Sequence, residues 1–296
     1  MTFVVSFGAS PRKPEWLKVK ALNRPEFQLM RQVTYDLNVR TICDLAHCPN
    51  IGECWSKGTA TFSLLGPLCT RSCAFCSVPH GDPRRSVDTE EPQRVALAVQ
   101  RLGIDHVVLT SVTRDDLDDG GAIHFLNTVN AIRRLRPEAT VEVLIPDLQG
   151  DLDALATIVS SKADIVAHNL EVVRRLQDEV RSIEANYQSS LDVLRTVKSL
   201  DPERTTKSSL MIGLGERNEE VVEAMRDLRE VEVDILTLGQ YLRPGPANVP
   251  VSRYVHPAEF AELRQTGLEL GFKEVVASPF ARSSYHAHEA FAHIGR

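Results

Sequence analysis

From residue 61 onward, short apolar segments alternate with longer amphipathic ones. The apolar segments predict strands at 61–65, 106–110, 141–145, 164–168, 208–213, 234–238 and 274–277. Between them, apolar residues recur at three- and four-residue steps, which predicts helices in segments such as 122–136, 190–200, 219–230 and 257–270. Short apolar strands separated by helices are typical of a parallel sheet covered on both faces. The pattern therefore predicts an α/β fold, either an open doubly wound sheet or a full or partial barrel.

The residues before this alternating region look like an extension. They combine mixed polarity with Pro11, Pro14 and Pro25, and the segment FQLMRQVTYDL at 27–37 predicts one helix. We expect three parts: an N-terminal extension at 1–60, the α/β domain at 61–280 and a C-terminal segment at 281–296.

Polar residues follow five successive predicted strands, where ligands collect in parallel α/β folds. These residues include Ser111, Arg114, Asp115, Asp116, Asp118, Asp147, His168, Asn169, Glu171, Glu216 and Gln240. Several have simpler explanations. Asp118 and Asp119 are candidates for capping the next helix, Gly213 and Gly215 suit a tight turn, and a lone histidine such as His168 is more often a hydrogen-bonded core residue. The prediction of a site therefore depends on the set more than on any one member.

Composition and charge exclude some classes of function. The 296 residues are 43% apolar and 25% charged, as in ordinary globular proteins. No apolar run reaches the roughly 18 residues of a membrane span, and the first residues lack the features of a signal peptide, so we expect a cytoplasmic protein. A net charge of −6 argues against a nucleic-acid partner.

One local exception to the acidic balance is the segment PRKPEWLKVK at 11–20. Arg12, Lys13, Lys18 and Lys20 lie there around Trp16. The simpler interpretation is a solvated tail laid over the main domain. The alternative is a surface on which an acidic carrier domain docks.

All six cysteines lie between positions 43 and 76, in two triplets: Cys43, Cys48 and Cys54, then Cys69, Cys73 and Cys76. Their number would suit three disulfides in a small secreted protein, but this chain is long and has a sizeable apolar fraction. Structural zinc usually takes four ligands in a two-plus-two pattern, which triplets fit badly. Three thiolates on a four-iron cluster leave one iron open, so the spacing favours two iron–sulfur clusters.

The motif CTRSCAFC at 69–76 resembles the CxxxCxxC signature of radical S-adenosylmethionine enzymes. The first triplet, in CDLAHCPNIGECW, resembles the auxiliary-cluster motif of the lipoyl synthase family. The resemblance extends from Pro11 to His288 through RKPEWLKVK, TSVTRDDLDDGGA, VEVLIPD, HNLEVV, KSSLMIGLGE, QYLRP and RSSYHA. It implies a partial (β/α)6 barrel of the radical S-adenosylmethionine type with extensions at both ends.

The resemblance also implies two 4Fe-4S clusters and their ligands. Cys69, Cys73 and Cys76 would hold the cluster that binds S-adenosylmethionine. The auxiliary cluster would be held by Cys43, Cys48, Cys54 and a serine of the RSSY motif, Ser283 or alternatively Ser284. Candidates for holding S-adenosylmethionine or lining the substrate channel are Ser111, Arg114, Asn169, Glu171, Lys207 and Arg243, and Arg282 is a candidate for tuning the auxiliary cluster.

The activity implied by this family is insertion of two sulfur atoms, at C6 and C8, into an octanoyl chain on a lysine of a carrier protein. A 5′-deoxyadenosyl radical removes each hydrogen, and the auxiliary cluster is the sulfur source. The implied partners are octanoylated lipoyl domains, namely the E2 subunits of 2-oxoacid dehydrogenases and the glycine cleavage H protein, together with an electron donor such as ferredoxin or flavodoxin.

The sequence departs mildly from the family pattern. Val172 stands where threonine is usual, and Thr113 where aspartate is common. Three alternatives remain at this point: another auxiliary-cluster radical enzyme with a different alkyl substrate, an iron–sulfur electron carrier, and a structural zinc protein.

Overall fold

A computed structural model describes residues 10–18, 25–56, 59–285 and 287–294. Its centre is a sheet of seven parallel strands that follow one another in chain order. They are β1 Thr61–Leu64, β2 His106–Ser111, β3 Thr140–Leu144, β4 Ile165–Ala167, β5 Thr205–Ile212, β6 Ile235–Gln240 and β7 Glu274–Ser278. The parallel α/β partial barrel is thus confirmed, and its seven strands match the seven predicted segments.

The helices fall between the strands, as the alternation requires. They are α1 Pro25–Asp36, α2 Ile42–Leu45, α3 Ile51–Ser56, α4 Glu91–Leu102, α5 Ala122–Leu135, α6 Leu152–Ser160, α7 Gln177–Val180, α8 Tyr187–Leu200, α9 Asn218–Glu230, α10 Pro257–Glu269 and α11 Ala287–Ile294. Short 3-10 turns occupy Glu15–Leu17, Leu148–Gly150 and Arg174–Leu176. No helix among the described residues is both long and apolar enough to cross a membrane.

The core lies between the sheet and its covering helices. Phe62, Leu109 and Val143 are fully buried and pack with residues of α4, α5 and α6. Met30 of α1 and Trp55 of α3 belong to the same cluster of buried side chains. The helices of the N-terminal extension are therefore packed onto the first strands, where they present the first cysteine triplet.

Two sequence expectations about strand ends are met by local contacts. The carboxylate of Asp119 accepts the backbone N–H groups of Gly121 and Ile123 and so caps α5, whereas Asp118, the other capping candidate, pairs with Arg85. Gly213 turns with a φ of +100°, and a Cβ there would lie 2.1 Å from the Gln240 side chain. This turn therefore requires glycine.

Candidate functional site

The second triplet lies on the loop that leaves β1 at the carboxyl edge of the sheet. Each of its sulfurs accepts a backbone N–H: Cys69 from Arg71 at 3.5 Å, Cys73 from Ser182 at 3.3 Å and Cys76 from Val78 at 3.4 Å. Hydrogen bonds of this kind favour thiolate over thiol. Burial nevertheless raises the pKa of Cys76 to about 12, and the neighbouring Cys73 and Cys69 add to the shift. A bound metal ion would favour the thiolate forms of such a group and offset the effect of burial.

Arg71, inside the same motif, attaches the loop to the next two strands. Its guanidinium binds Asp115 at 2.8 Å, beyond β2, and Asp147 at 2.5 Å, beyond β3. Burial acts against ionisation of Asp147, but the contact with Arg71 outweighs it and lowers the carboxyl pKa. Because both carboxylates bind the same guanidinium, the start of the cysteine loop is held against the ends of β2 and β3.

The first triplet is carried by α2, α3 and the turn between them. Thr41 caps α2 by accepting the Asp44 N–H, and Cys43 within that helix is buried. Burial raises the pKa of Cys43 to about 11. Burial also raises the pKa of Cys48, and the nearby Arg282 guanidinium partly offsets that rise.

The RSSY segment lies directly against this triplet. The Asn50 side chain donates to the Phe280 carbonyl at 2.7 Å, and the Tyr285 hydroxyl lies 3.3 Å from both carboxylate oxygens of Glu53. Asn50 and Glu53 both lie between the second and third cysteines of the triplet. The half-buried Ser283 and Ser284 are therefore beside the first triplet.

The two triplets are also adjacent to each other. The hydroxyl of Ser77, next to Cys76, donates to the carbonyl of Leu45, between Cys43 and Cys48, at 3.3 Å. All six thiols are free, so the disulfide interpretation is wrong. In the described part of the chain no three His, Cys, Asp or Glu side chains converge on a point where one metal ion would sit. A four-iron cluster does not need its ligands to converge on one point, because each thiolate binds a different iron atom.

Three of the predicted cofactor-binding residues, Ser111, Asn169 and Glu171, lie at strand ends. Two of them carry a buried polar atom without a partner among the described residues, and the third has a positive φ. The Ser111 Oγ at the end of β2 and the Asn169 Oδ1 just beyond β4 are buried and have no hydrogen-bond partner among the described residues. Glu171 accepts from the Asn169 Nδ2 at 3.1 Å and adopts a φ of +72°. Burial raises the pKa of Glu171. Buried polar atoms normally have partners, so these groups are suited to a polar ligand.

The charged groups of the three predicted basic residues bind other groups of the protein. Arg114 binds Asp116 and the carbonyls of Leu65 and Ser86. The Lys207 Nζ lies 2.9 Å from Glu142 inside the barrel, and Arg243 donates to the Asn248 carbonyl.

His168 is a hydrogen-bonded core residue, as expected for a lone histidine. Its Nδ1 donates to the Ile145 carbonyl at 2.9 Å and its Nε2 lies 3.0 Å from the Ser190 hydroxyl. Burial lowers its pKa to about 4.

Sequence reasoning did not single out Arg71, Ser182, Asn50 or Glu53. For Arg71, Asn50 and Glu53 the available signal was their position within the cysteine motifs. Ser182 lies 109 residues from Cys73, and the sequence offered no signal for it.

Comparison with known proteins identifies the family of this chain. The Radical SAM superfamily model matches residues 63–228. The chain is 52% identical over 279 residues to the lipoyl synthase of Thermus thermophilus, covering 94% of this chain and 86% of that protein. It is also 52% identical over 276 residues to the lipoyl synthase of Halorhodospira halophila, covering 93% and 83%.

Among solved structures, methylornithine synthase (PylB) superposes with a TM-score of 0.55 at 13% identity, over 86% of this chain and 82% of that one. This likeness shows the fold alone. Membership of the radical S-adenosylmethionine superfamily implies a 4Fe-4S cluster and S-adenosylmethionine. The chain belongs to the lipoyl synthase family of radical S-adenosylmethionine enzymes and is a sulfurtransferase of lipoate biosynthesis.

Proposed function

We propose that this protein inserts two sulfur atoms, at C6 and C8, into an octanoyl chain attached to a lysine of a carrier protein. The observation that carries the proposal is the meeting of three segments at one edge of the sheet. The second triplet, the first triplet and the RSSY segment are joined by the contacts of Ser77, Asn50 and Tyr285. An electron carrier with two fully ligated clusters has no need of this arrangement.

The ligand assignment rests on the resemblance of the two cysteine motifs to those of the family. Cys69, Cys73 and Cys76 hold the cluster that binds S-adenosylmethionine, and the N–H groups directed at their sulfurs fit that role. Cys43, Cys48, Cys54 and Ser283 hold an auxiliary cluster, with Ser284 as the alternative oxygen ligand. When bound, the first cluster supplies the electron that splits S-adenosylmethionine, and the auxiliary cluster supplies sulfide.

A serine oxygen suits a cluster that gives up its sulfur. A hard oxygen is a poorer match to iron–sulfur chemistry than thiolate is, and so releases more readily. The Arg282 guanidinium, which interacts with Cys48, places a positive charge beside the same ligand set.

Side chains at the strand ends bind and orient S-adenosylmethionine. Ser111 and Asn169 offer buried polar atoms to it, and Glu171 offers a carboxylate held beside Asn169. Arg114, Lys207 and Arg243 act less directly, by fixing the loops and the barrel interior around that ligand. The barrel wall keeps water from the radical. Each insertion breaks one C–H bond and forms one C–S bond, and the hydrogen leaves on 5′-deoxyadenosine.

The substrate is an octanoylated lipoyl domain, such as an E2 subunit of a 2-oxoacid dehydrogenase or the glycine cleavage H protein. A ferredoxin or flavodoxin supplies the electrons.

The exposed Arg12, Lys13 and Lys18 surround Trp16, whose ring contacts His256 with centroids 5.1 Å apart. Lys20, also part of this basic segment, lies outside the described residues.

Mass spectrometry of an octanoyl-lysine peptide tests the proposal. The peptide is incubated without oxygen with reconstituted protein, S-adenosylmethionine and reductant. Addition of two sulfur atoms is expected, with formation of 5′-deoxyadenosine. Formation of 5′-deoxyadenosine without sulfur addition to the peptide or to a whole octanoylated carrier would favour a different alkyl substrate.

A further inference from the structure

The loop of the second triplet is held between two other segments. On one side, the N–H of Ala74 donates to the Val180 carbonyl at 2.9 Å. On the other, the carbonyl of Ala74 accepts the N–H of Val249 at 3.1 Å, from the loop that follows β6. These contacts fix Ala74, in the middle of the triplet, through both of its backbone polar groups.

The neighbouring residue, Asn248, adds a side chain to this contact. Its Nδ2 donates to the Ala74 carbonyl at 3.2 Å and to the Cys76 carbonyl at 2.9 Å. A carboxamide carries two N–H bonds, and both are used here. One half-buried side chain thus binds two of the carbonyls that lie among the three thiols.

The backbone of Asn248 is itself held by hydrogen bonds within its loop. Its backbone carbonyl accepts from the Arg243 Nε at 2.8 Å, and its N–H donates to the Gly245 carbonyl at 3.1 Å. The hydroxyl of Tyr241 donates to the Val249 carbonyl at 2.8 Å. The loop after β6 therefore presents the carboxamide from a preorganised turn.

We propose that Asn248 is a positioning residue that fixes Cys76 and sets the electrostatics of the site formed by the second triplet. The inference rests on the proposed ligand role of that triplet. The Cys76 sulfur accepts the Val78 N–H. Because Asn248 holds the Cys76 carbonyl, it fixes the peptide group that joins Cys76 to Ser77, and with it the position of the Val78 N–H relative to the sulfur. Carbonyl oxygens carry partial negative charge, which disfavours adding an electron nearby. The Asn248 N–H groups offset that charge and raise the reduction potential of a cluster bound there.

Substitutions at one position separate this role from simple packing. Asn248→Ala removes both donors, Asn248→Asp keeps the size but replaces the donors with negative charge, and Asn248→His retains one donor. Ser252→Ala is the matched control, because Ser252 is an exposed residue of the same loop. The full-length reconstituted protein is used throughout. The midpoint potential is measured by redox titration, and the electron paramagnetic resonance spectrum is recorded with and without S-adenosylmethionine.

The expected order of midpoint potentials is wild type, then His, then Ala, then Asp, with the last the most negative. The spectral change on adding S-adenosylmethionine should alter in the same order, and 5′-deoxyadenosine formation should fall about 10-fold or more in Asn248→Ala. Wild-type potentials and spectra in the Ala and Asp variants would overturn the proposal, as would a loss of unfolding free energy without a shift in potential.

Two further outcomes are also decisive. If Asn248→Ala retains no iron, the comparison of the His and Asp variants, which both keep a polar side chain at this position, replaces it. Equal potentials in those two variants contradict the proposal. If the wild-type protein cleaves S-adenosylmethionine but adds no sulfur to the octanoyl peptide, the proposed function fails while the Asn248 test stands.

Discussion

Replacing Arg71 by methionine leaves two carboxylates without their shared cation. The Arg71 and Asp147 side chains are 6% and 4% exposed, so their pair is buried, whereas Asp115 is 24% exposed. Breaking a buried pair by removing one partner costs about 3–5 kcal/mol, and a more exposed pair adds about 1 kcal/mol or less. We therefore expect Arg71→Met to lower the free energy of unfolding by about 3–5 kcal/mol, most of it from Asp147.

The dependence on pH has a definite sign. In the wild type, the pKa of Asp147 lies below its usual value, so the stabilising pair is present at neutral pH and is lost only as pH falls through that lowered pKa. Without Arg71, burial dominates and raises the pKa of Asp147, and protonation then relieves the buried charge. The difference in free energy of unfolding between the variant and the wild type should therefore be largest near pH 7 and become smaller towards about pH 4.

Anaerobic urea titrations of both proteins at the two pH values measure this difference. Arg71→Met with Asp147→Asn should be more stable than Arg71→Met alone, because no buried carboxylate is then left unpaired. Arg195→Met, at an exposed pair with Asp192, is the control and should change stability by about 0.5 kcal/mol or less. An Arg71→Met protein within about 0.5 kcal/mol of wild type, or a difference that grows in acid, would refute the reasoning.

Three other predictions follow from the site. Anaerobic reconstitution should approach about eight irons and eight sulfides per chain, from four in each cluster, and saturation at half that value would remove one cluster. Alanine at any cysteine of the second triplet should abolish 5′-deoxyadenosine formation, whereas alanine at any cysteine of the first should retain some of it but give no lipoyl product; lipoyl formation in the latter would contradict the sulfur-donor role. Lys13→Glu with Lys18→Glu should raise the apparent KM for an acidic octanoylated carrier at low salt, and unchanged kinetics there would exclude docking on the basic segment.

The strands and helices were predictable because their periodicity is local. The sequence-based start of the fifth strand at 208 was late, since β5 begins at Thr205. Its first residues are polar, and Lys207 is buried there only because Glu142, 65 residues earlier, pairs with it. A buried charge of this kind cannot be recognised until its partner is known.

The same limit separates the cysteines from the other candidate residues. Six cysteines in two triplets indicate soft-metal chemistry from type and spacing alone. By contrast, Arg71 meets carboxylates 44 and 76 residues away, brought together only by the order of the strands. Ser111 and Asn169 carry buried oxygens that have no hydrogen-bond partner in the described part of the chain, a property that no sequence pattern reveals.

The contact between Asn50 and Phe280 also has a consequence for biosynthesis. These residues are 230 positions apart, and the Tyr285 contact with Glu53 spans 232. A ribosome releases the first triplet long before it makes the serine that lies beside it. During translation the first triplet therefore emerges without the RSSY segment, so the contacts between the two can form only after nearly the whole polypeptide has left the exit tunnel.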